Sequence, residues 1–411
     1  MNRVLLFPVL LLAAIIGPPS QPAADHPASR LVILVSIDGF RWDYFEKYHP
    51  AELGRLAADG VHARRMTSSF PSLTFPNHYT IVTGLRPEHH GIVANTFFDP
   101  DLNAKFYYTH HDCAVDPRWW SGGEPIWITA ERQGLHSACF FWPGSDSENH
   151  GLRPSFTKPF DKHLTADDRV DGLLAWLALP EAQRPRVATL YFDMVDTAGH
   201  RFGPEAPETV QAIALVDTAI GRLLAGLQKI GLRDETDFVF VSDHGMEPVS
   251  PDRVVLLDDY VNPATIDVDF AGPVAGLRPK SETPAELLAH FGKEHPHVSV
   301  WLRSEVPEHL HYRASNRIAP VVLCADPGWY ITTREYLRVH RPTFERGAHG
   351  FDPATPNMGA LFVADGPSFR HNKELDDVDN VDIYNLLCAT LKITPAANDG
   401  SQKLVEEVLA R

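Results

Sequence analysis

Short, continuous apolar segments that run directly into polar turns are the feature that most restricts the fold of this chain. The first is LVILVSI at 31–37, which is rich in β-branched residues and is followed by Asp38 and Gly39. An uninterrupted apolar run of this length is typical of a strand that is buried on both faces. The chain is therefore expected to adopt an α/β fold in which polar side chains collect where the strands end.

The rest of the chain repeats this pattern. Further apolar runs occur at 137–142, 187–193, 237–242 and 360–364, and helical patterns lie at about 41–59, 166–179 and 206–228. Alternating strands and helices predict a mostly parallel central sheet with helices on both faces. The alternation fades between about 250 and 345, where Pro-, Gly- and His-rich turns separate short apolar segments, and this predicts an inserted lid lobe.

The length and the N-terminus bear on domain organisation and export. Large α/β enzymes often grow as one sheet with insertions, so we expect a single catalytic domain over 30–395 of the 411 residues. Residues 1–24 combine Arg3, an apolar run at 4–16 and a small-residue end, which is typical of a signal peptide. We expect an exported protein, periplasmic or secreted, with no stable membrane anchor after cleavage. A retained N-terminal anchor is the alternative.

Charge and cysteine content limit the partners and the covalent cross-links. Lysine and arginine number 37 against 53 aspartate and glutamate residues, which gives a formal net charge of -16. Such a chain lacks the positive surface that an extended nucleic acid requires, whereas bound metal ions would allow a small anionic substrate. The four cysteines, Cys113, Cys139, Cys324 and Cys388, are compatible with two, one or no disulfides. The oligomeric state is not determined by these features.

Candidate metal ligands follow three of the apolar runs. Asp38 comes directly after the first run, where a helix cap is the alternative role. Asp196 and His200 follow the run at 187–193 and are four residues apart, a spacing that lets both side chains point the same way. Asp193 is a rival carboxylate at the same place, but it still lies within the predicted strand.

The third run leads into Asp243, His244 and Gly245. Glycine permits the sharp bend that two neighbouring ligands need, and coordination of a cation would stabilise an aspartate and a histidine buried side by side. His349 stands among small residues in GAHG, which leaves room for the backbone to approach a metal ion.

Thr74 and Asn95 are candidates for the chemistry itself. Pro76 is well placed as the first residue of a helix that ends near Gly84, which puts Thr74 at the helix mouth, where an alkoxide is favoured. A plain N-cap is the alternative role for Thr74. Asn95 is placed to donate to a phosphoryl oxygen, or else is an ordinary turn residue.

Thr74 and the six carboxylate and imidazole side chains make seven ligands, which is too many for one zinc ion and suits two. A mixed histidine and aspartate set fits zinc better than magnesium or calcium. The residues therefore predict a two-zinc hydrolase of phosphate esters in which Thr74 attacks.

The ordered motifs SIDGFRWDY, FPSLTFPNHYTIVTGLRPEHHGIVANTFFD, WPGS, VDTAGHRFGP, VSDHGM and GAHGFD carry a resemblance to a known family. Across most of 30–390 the chain resembles the nucleotide pyrophosphatase/phosphodiesterases of the alkaline phosphatase superfamily, in a short bacterial form. The resemblance implies two zinc sites, which are Asp196, His200 and His349, and Asp38, Asp243 and His244 with Thr74 as nucleophile.

The same resemblance implies a reaction and a substrate. Attack by Thr74 gives a phosphothreonine, and its hydrolysis releases a nucleoside 5'-monophosphate from a phosphodiester or pyrophosphate. Asn95 matches the residue that binds the phosphoryl group. Phe75 matches one of two aromatic residues that stack on the base, and Phe160 is the candidate for the other, with a core position as its alternative. A phospholipid or lysophospholipid phosphodiesterase and a non-catalytic exported zinc-binding protein are the alternative functions, and the natural substrate and base preference stay open.

Overall fold

The computed structural model describes residues 30–292 and 296–410, so the predicted signal peptide at 1–24 lies outside the described residues. An eight-stranded sheet occupies the centre, and one of its strands, Phe362–Asp365, runs antiparallel to the other seven. In order across the sheet, the strands are Lys373–Leu375, Val61–Ala63, Phe362–Asp365, Thr236–Val241, Leu31–Ile37, Val187–Phe192, Ser137–Phe140 and Phe156–Lys158.

Successive side chains of the first strand enter two different hydrophobic cores. Val32 and Leu34 face one core, whereas Ile33 and Val35 face the other, and all four are fully buried. This alternation follows from the two-residue period of a strand, and it explains why the sequence reads as an unbroken apolar run. Helices accordingly cover both faces of the sheet, as predicted.

The α-helices are Tyr44–Tyr48, Ala51–Asp59, Thr74–Thr83, Pro87–His90, His111–Ala114, Pro117–Trp120, Ile126–Arg132, Ala166–Leu177, Met194–Phe202, Pro207–Lys229, Pro284–His290, Arg334–His340, Ile383–Leu391 and Lys403–Val408. Four pairs of short strands complete the structure: Met66–Thr67 with Val378–Asp379, Thr96–Asp99 with Ala104–Tyr107, Glu247–Pro248 with Gly347–Ala348, and Val254–Leu256 with Tyr330–Thr332. The helix Pro207–Lys229 is long and apolar enough to cross a membrane, but it buries one face in the core beside the sheet.

A second sheet lies in the region predicted as an inserted lobe. Its four strands are antiparallel and follow the order Ile266–Phe270, Val274–Pro279, Val321–Ala325 and Val298–Leu302. The lobe has its own hydrophobic core, which includes Val255, Leu277 and Leu323. The lobe limits of 250–345 and the single catalytic domain over 30–395 stay predictions.

Two of the predicted elements were wrong in detail. The helix expected over 41–59 is two helices, because His49 takes a left-handed conformation (φ 47°) and Pro50 lacks the N–H that a continuous helix needs. The strand expected at 360–364 begins only at Phe362, because the backbone of Ala360 pairs with Met66 instead.

The three central strands determine where the polar residues meet. Leu31–Ile37 lies between Val187–Phe192 and Thr236–Val241, and all three are parallel. Ile37 pairs with Phe192, and Ser36 pairs with Val241, so the strands end at the same level. The residues that follow them are therefore delivered to one edge of the sheet.

Candidate metal centre and nucleophile

The first group of predicted ligands comprises Asp196, His200 and His349, whose ligand atoms lie within 4.8 Å of one another. His200 Nε2 is 3.0 Å from His349 Nε2 and 3.3 Å from Asp196 Oδ1. Asp196 and His200 share the helix Met194–Phe202, which begins at the end of a central strand. The four-residue spacing therefore places both side chains on the same side of the helix, as predicted.

The second group comprises Asp38, Asp243 and His244. His244 Nε2 is 2.9 Å from Asp243 Oδ2 and 3.6 Å from Asp38 Oδ1, and all three side chains are buried. The N–H of Gly39 donates to Asp243 Oδ1 at 3.2 Å, which ties the first strand end to the third.

The two groups form one cluster. The rings of His244 and His349 stack with centroids 3.5 Å apart, and the ligand atoms of Asp38, Asp196 and His244 also lie within 4.8 Å of one another. Residues from three separate strand ends and from a distant loop therefore meet in a single buried volume.

The three imidazoles of this cluster share one orientation. Each has its Nδ1 atom 2.9 Å from a backbone carbonyl oxygen: His200 from Gly347, His244 from Gly245 and His349 from Ser72. Because a carbonyl oxygen only accepts, each Nδ1 carries a hydrogen and donates it, and each Nε2 points into the cluster. This is the arrangement of metal-binding histidines, whose outer nitrogen is fixed by a backbone or carboxylate partner.

Three carboxylate oxygens of the cluster lack hydrogen-bond donors. Asp38 Oδ1, Asp196 Oδ1 and Asp243 Oδ2 are buried and accept no hydrogen bond from the described residues. The imidazole nitrogens nearest to them satisfy these oxygens only if they carry an additional proton. Divalent cations would satisfy the oxygens and the Nε2 atoms together, so the residues present fit a metal centre.

Burial and neighbouring charges shift the pKa values of three side chains in the cluster. Burial and repulsion from Asp243 and Asp196 hold the pKa of Asp38 well above its usual value. Burial also favours the neutral form of Asp196, but the adjacent His200 overrides it and lowers the Asp196 pKa to about 2. Burial lowers the pKa of His349 to about 3, and the neighbouring His244 adds to this effect.

Thr74 lies at the start of a ten-residue helix, Thr74–Thr83, which begins two residues earlier than Pro76 suggested. The N–H of Asn77 donates to Leu73 O and closes the first turn, so Pro76 occupies a first-turn position where its missing N–H is tolerated. Leu73 is the extended N-cap residue, and therefore the N-cap alternative for Thr74 was wrong. Thr74 Oγ1 instead lies 3.3 Å from His244 Nε2.

Asn95 and Phe75 flank the same helix mouth. Asn95 Oδ1 accepts the backbone N–H of Phe75 at 2.9 Å, which leaves the Nδ2 group as a donor beside Thr74. The Phe75 ring packs against Tyr108, with centroids 5.4 Å apart.

Phe160 is connected to the cluster through Tyr191, whose hydroxyl is bonded to Asp38. Its ring makes edge contacts with Phe141 and Tyr191 at centroid distances of 5.2 Å and 6.1 Å. Because the residue is 53% exposed, the core position considered as its alternative was wrong.

His78 is a buried group that sequence reasoning missed. Its Nδ1 lies 2.9 Å from Thr74 O and 3.3 Å from Asp243 Oδ2, and its Nε2 lies 2.8 Å from Ser36 Oγ. Its ring therefore lies against Asp243, and its nearest ligand atom is within 4.8 Å of those of Asp38 and Asp243, although both ring nitrogens also have protein partners. The signal available in the sequence was its position one helical turn after Thr74.

Tyr191 was missed as well, because a tyrosine inside an apolar run reads as a core residue. Its hydroxyl donates to Asp38 Oδ2 at 2.6 Å and so fixes that carboxylate.

Asp193, the rival ligand, lies 2.7 Å from the buried Arg169 Nη1 and is engaged in an ion pair. All four cysteines fall within the described residues and are free thiols.

Comparison with known proteins identifies the family. Residues 32–352 match the family model for type I phosphodiesterase / nucleotide pyrophosphatase. The chain belongs to this family of enzymes. It is 40% identical to an uncharacterized pyrophosphatase/phosphodiesterase of Schizosaccharomyces pombe, over 90% of this chain and 78% of the relative. It is 36% identical to human ectonucleotide pyrophosphatase/phosphodiesterase family member 1, over 96% of this chain but only 43% of the relative.

Solved structures of the family have the same fold. Murine ectonucleotide pyrophosphatase/phosphodiesterase 5 is 35% identical, with a TM-score of 0.88 that covers 93% of this chain and all of that chain. An inactive threonine-to-alanine variant of the mouse protein has been solved in complex with AMP, with the same TM-score. The predicted α/β fold with a mostly parallel central sheet is thereby confirmed.

Proposed function

We propose that this family member hydrolyses phosphodiester and pyrophosphate bonds of nucleotides and releases nucleoside 5'-monophosphates. The observation that carries the proposal is the position of Thr74 Oγ1, 3.3 Å from His244 Nε2 at the first turn of a helix. A hydroxyl placed there has a cluster of candidate metal ligands on one side and lies at the positive end of the helix dipole, which is suited to nucleophilic attack on a phosphate.

Two zinc ions are the proposed cofactors, one held by Asp196, His200 and His349, and the other by Asp38, Asp243 and His244 together with Thr74. Zinc bound there would act as a Lewis acid that lowers the pKa of a neighbouring hydroxyl and neutralises charge on the phosphoryl group. The support for this arrangement is the set of inward-pointing Nε2 atoms and the three carboxylate oxygens without donors.

Side chains of this protein carry out the remaining steps. The Thr74 oxygen forms a bond to phosphorus and loses its proton to solvent, while the bond from phosphorus to the leaving oxygen breaks. Asn95 donates from Nδ2 to a phosphoryl oxygen as charge builds. Water then hydrolyses the phosphothreonine, which releases the nucleoside monophosphate and restores the hydroxyl. The proposed base site lies between Phe75, which follows Thr74 in the chain, and Phe160, which packs against Tyr191 beside Asp38, because both rings can stack on a planar base.

Export and organisation are parts of the same proposal. We propose that residues 1–24 are removed as a signal peptide, and that a single domain over 30–395 acts in the periplasm or outside the cell on a small nucleotide, without a membrane anchor. The human relative is an ectonucleotide enzyme by name, and the mouse structure binds AMP, which supports a nucleotide outside the cell. Assignment to a short bacterial form stays a prediction.

The test is hydrolysis of the p-nitrophenyl ester of thymidine 5'-monophosphate by the wild type, Thr74→Ala and Thr74→Ser. Thr74→Ala should lose at least roughly a thousandfold in kcat and keep its bound metal, whereas Thr74→Ser, which retains a hydroxyl, should keep part of the activity. Near wild-type turnover by Thr74→Ala would end the covalent mechanism. Cleavage of lysophosphatidylcholine in place of the nucleotide ester would favour the lipid alternative, and no turnover with bound zinc would favour a non-catalytic protein.

A further inference from the structure

A groove of about 390 Å³ opens beside the nucleophile, on the side that faces the inserted lobe. Leu73 and Asn95 form its inner end, and Lys105, Tyr107 and Tyr108 of the short hairpin form one wall. None of these residues holds a metal in the proposed mechanism, and the proposed base site uses other walls.

The groove is joined directly to the reacting centre. Leu73 precedes Thr74, and Asn95 Oδ1 accepts the backbone N–H of Phe75. On the lobe side, Val274 and Leu73 both border Gly350, the residue after His349: a Cβ atom there would meet Leu73 Cδ2 at 3.0 Å and Val274 Cγ1 at 3.3 Å. The groove therefore begins next to the nucleophile and extends toward the inserted lobe.

The in-line geometry of phosphoryl transfer separates the two ends of a substrate, because the leaving oxygen departs opposite the attacking oxygen. Phe160 and Tyr191, which border the proposed base site, do not line the groove. Tyr108 stands between the two sites, since it lines the groove and also packs against Phe75 at 5.4 Å.

The groove contains one lysine, and the aspartate in its lining is paired with an arginine behind it, although the chain as a whole carries a net charge of -16. Lys105 is the only cationic residue among the described residues that line it. Its Nζ donates to Val268 O at 3.2 Å, and a carbonyl oxygen leaves the positive charge intact. The one acidic residue in the lining, Asp269, has an ion pair with Arg278 at 2.7 Å.

We propose that this groove binds the leaving-group half of the substrate and that Lys105 selects leaving groups that carry a further phosphate. This inference rests on the proposed function. Lys105 would bind the distal phosphate through its remaining ammonium donors, while Tyr107 and Tyr108, both partly exposed, supply the wall along which the leaving group lies.

The test compares two substrates that transfer the same thymidine phosphoryl group: thymidine 5'-triphosphate, which leaves pyrophosphate, and the p-nitrophenyl ester of thymidine 5'-monophosphate. Lys105→Gln should lower kcat/KM for the triphosphate by roughly 10- to 100-fold, mainly through KM, and change that for the ester by less than about twofold. Lys105→Arg, which keeps the charge, should recover most of the triphosphate activity.

Lys280→Gln is the matched control, because it removes the same charge from the neighbouring lobe, outside the groove, at an exposed lysine paired with Asp267. It should leave both substrates unchanged. Equal losses on both substrates in Lys105→Gln, no loss on the triphosphate, or the same selective loss in Lys280→Gln would each overturn the inference. A wild type that cleaves the ester but not the triphosphate would overturn it while the proposed function stands, and a wild type that cleaves neither would remove both.

Discussion

Asp38→Asn should raise the free energy of unfolding of the metal-free protein and lower that of the metal-bound protein. Asp38 is buried, its Oδ1 accepts no hydrogen bond from the described residues, and Asp243 and Asp196 repel its charge. The amide removes this charge and keeps an oxygen to accept the Tyr191 hydroxyl, which donates at 2.6 Å. Leaving a buried polar group unsatisfied costs about 1–3 kcal/mol, and more when it is charged, so the variant should gain at least that range in the free energy of unfolding.

The measurement is thermal or urea unfolding at pH 8, in EDTA and in saturating zinc. In EDTA the melting temperature of the variant should rise by about 2–12 °C, from about 2–4 °C for each kcal/mol in a large domain. Zinc at a thousandfold excess over its Kd stabilises the wild type by about 4 kcal/mol, and the variant should lose most of this gain because it lacks one ligand. The order of stability should therefore reverse between the two conditions.

The pH dependence in EDTA provides a second check with a defined sign. The pKa of Asp38 is raised by burial and by its acidic neighbours, so the folded state binds more protons than the unfolded state between the two pKa values. Its contribution therefore destabilises the wild type progressively as pH rises through this window, and the advantage of Asp38→Asn should shrink as pH falls. A variant that is less stable than the wild type in EDTA at pH 8, or that keeps the full zinc response, would refute the reasoning.

Three further substitutions test other parts of the site. Tyr191→Phe removes a hydroxyl bonded to a candidate ligand, and it should weaken metal binding by roughly 10- to 100-fold in chelator titrations while leaving the fold intact; unchanged affinity would contradict the role. Phe160→Ala should raise KM for the thymidine ester by roughly tenfold, as expected for lost stacking, but should hardly affect bis(p-nitrophenyl) phosphate; equal effects on both would exclude Phe160 from base binding. Gly350→Ala, at φ +117° with Leu73 only 3.0 Å from the new Cβ, should lower both stability and kcat/KM, whereas Gly134→Ala, at φ +82° with open space around it, should lower stability alone.

Much of the candidate site could be predicted because its residues follow local rules. An apolar run with no polar interruption indicates a strand covered on both faces, and parallel strands end at one edge of their sheet. Asp38, Asp196 and Asp243 each follow such a run, so their delivery to one edge of the sheet was predictable, whereas their meeting also required that the three strands be neighbours. The error over 41–59 was also local, since Pro50 stood in the sequence as a signal that was not used.

The sequence by itself therefore determined the fold class and the chemical types of the ligands, because strand and helix periods and ligand preferences belong to neighbouring residues. Tertiary structure alone decided the orientation of His349 by Ser72, 277 residues away, the fixing of Asp38 by Tyr191, and the groove that Lys105 shares with the lobe. These contacts join parts of the chain that no local period relates, and they arise only when the packed sheet, helices and lobe bring the backbone of one segment against the side chains of another.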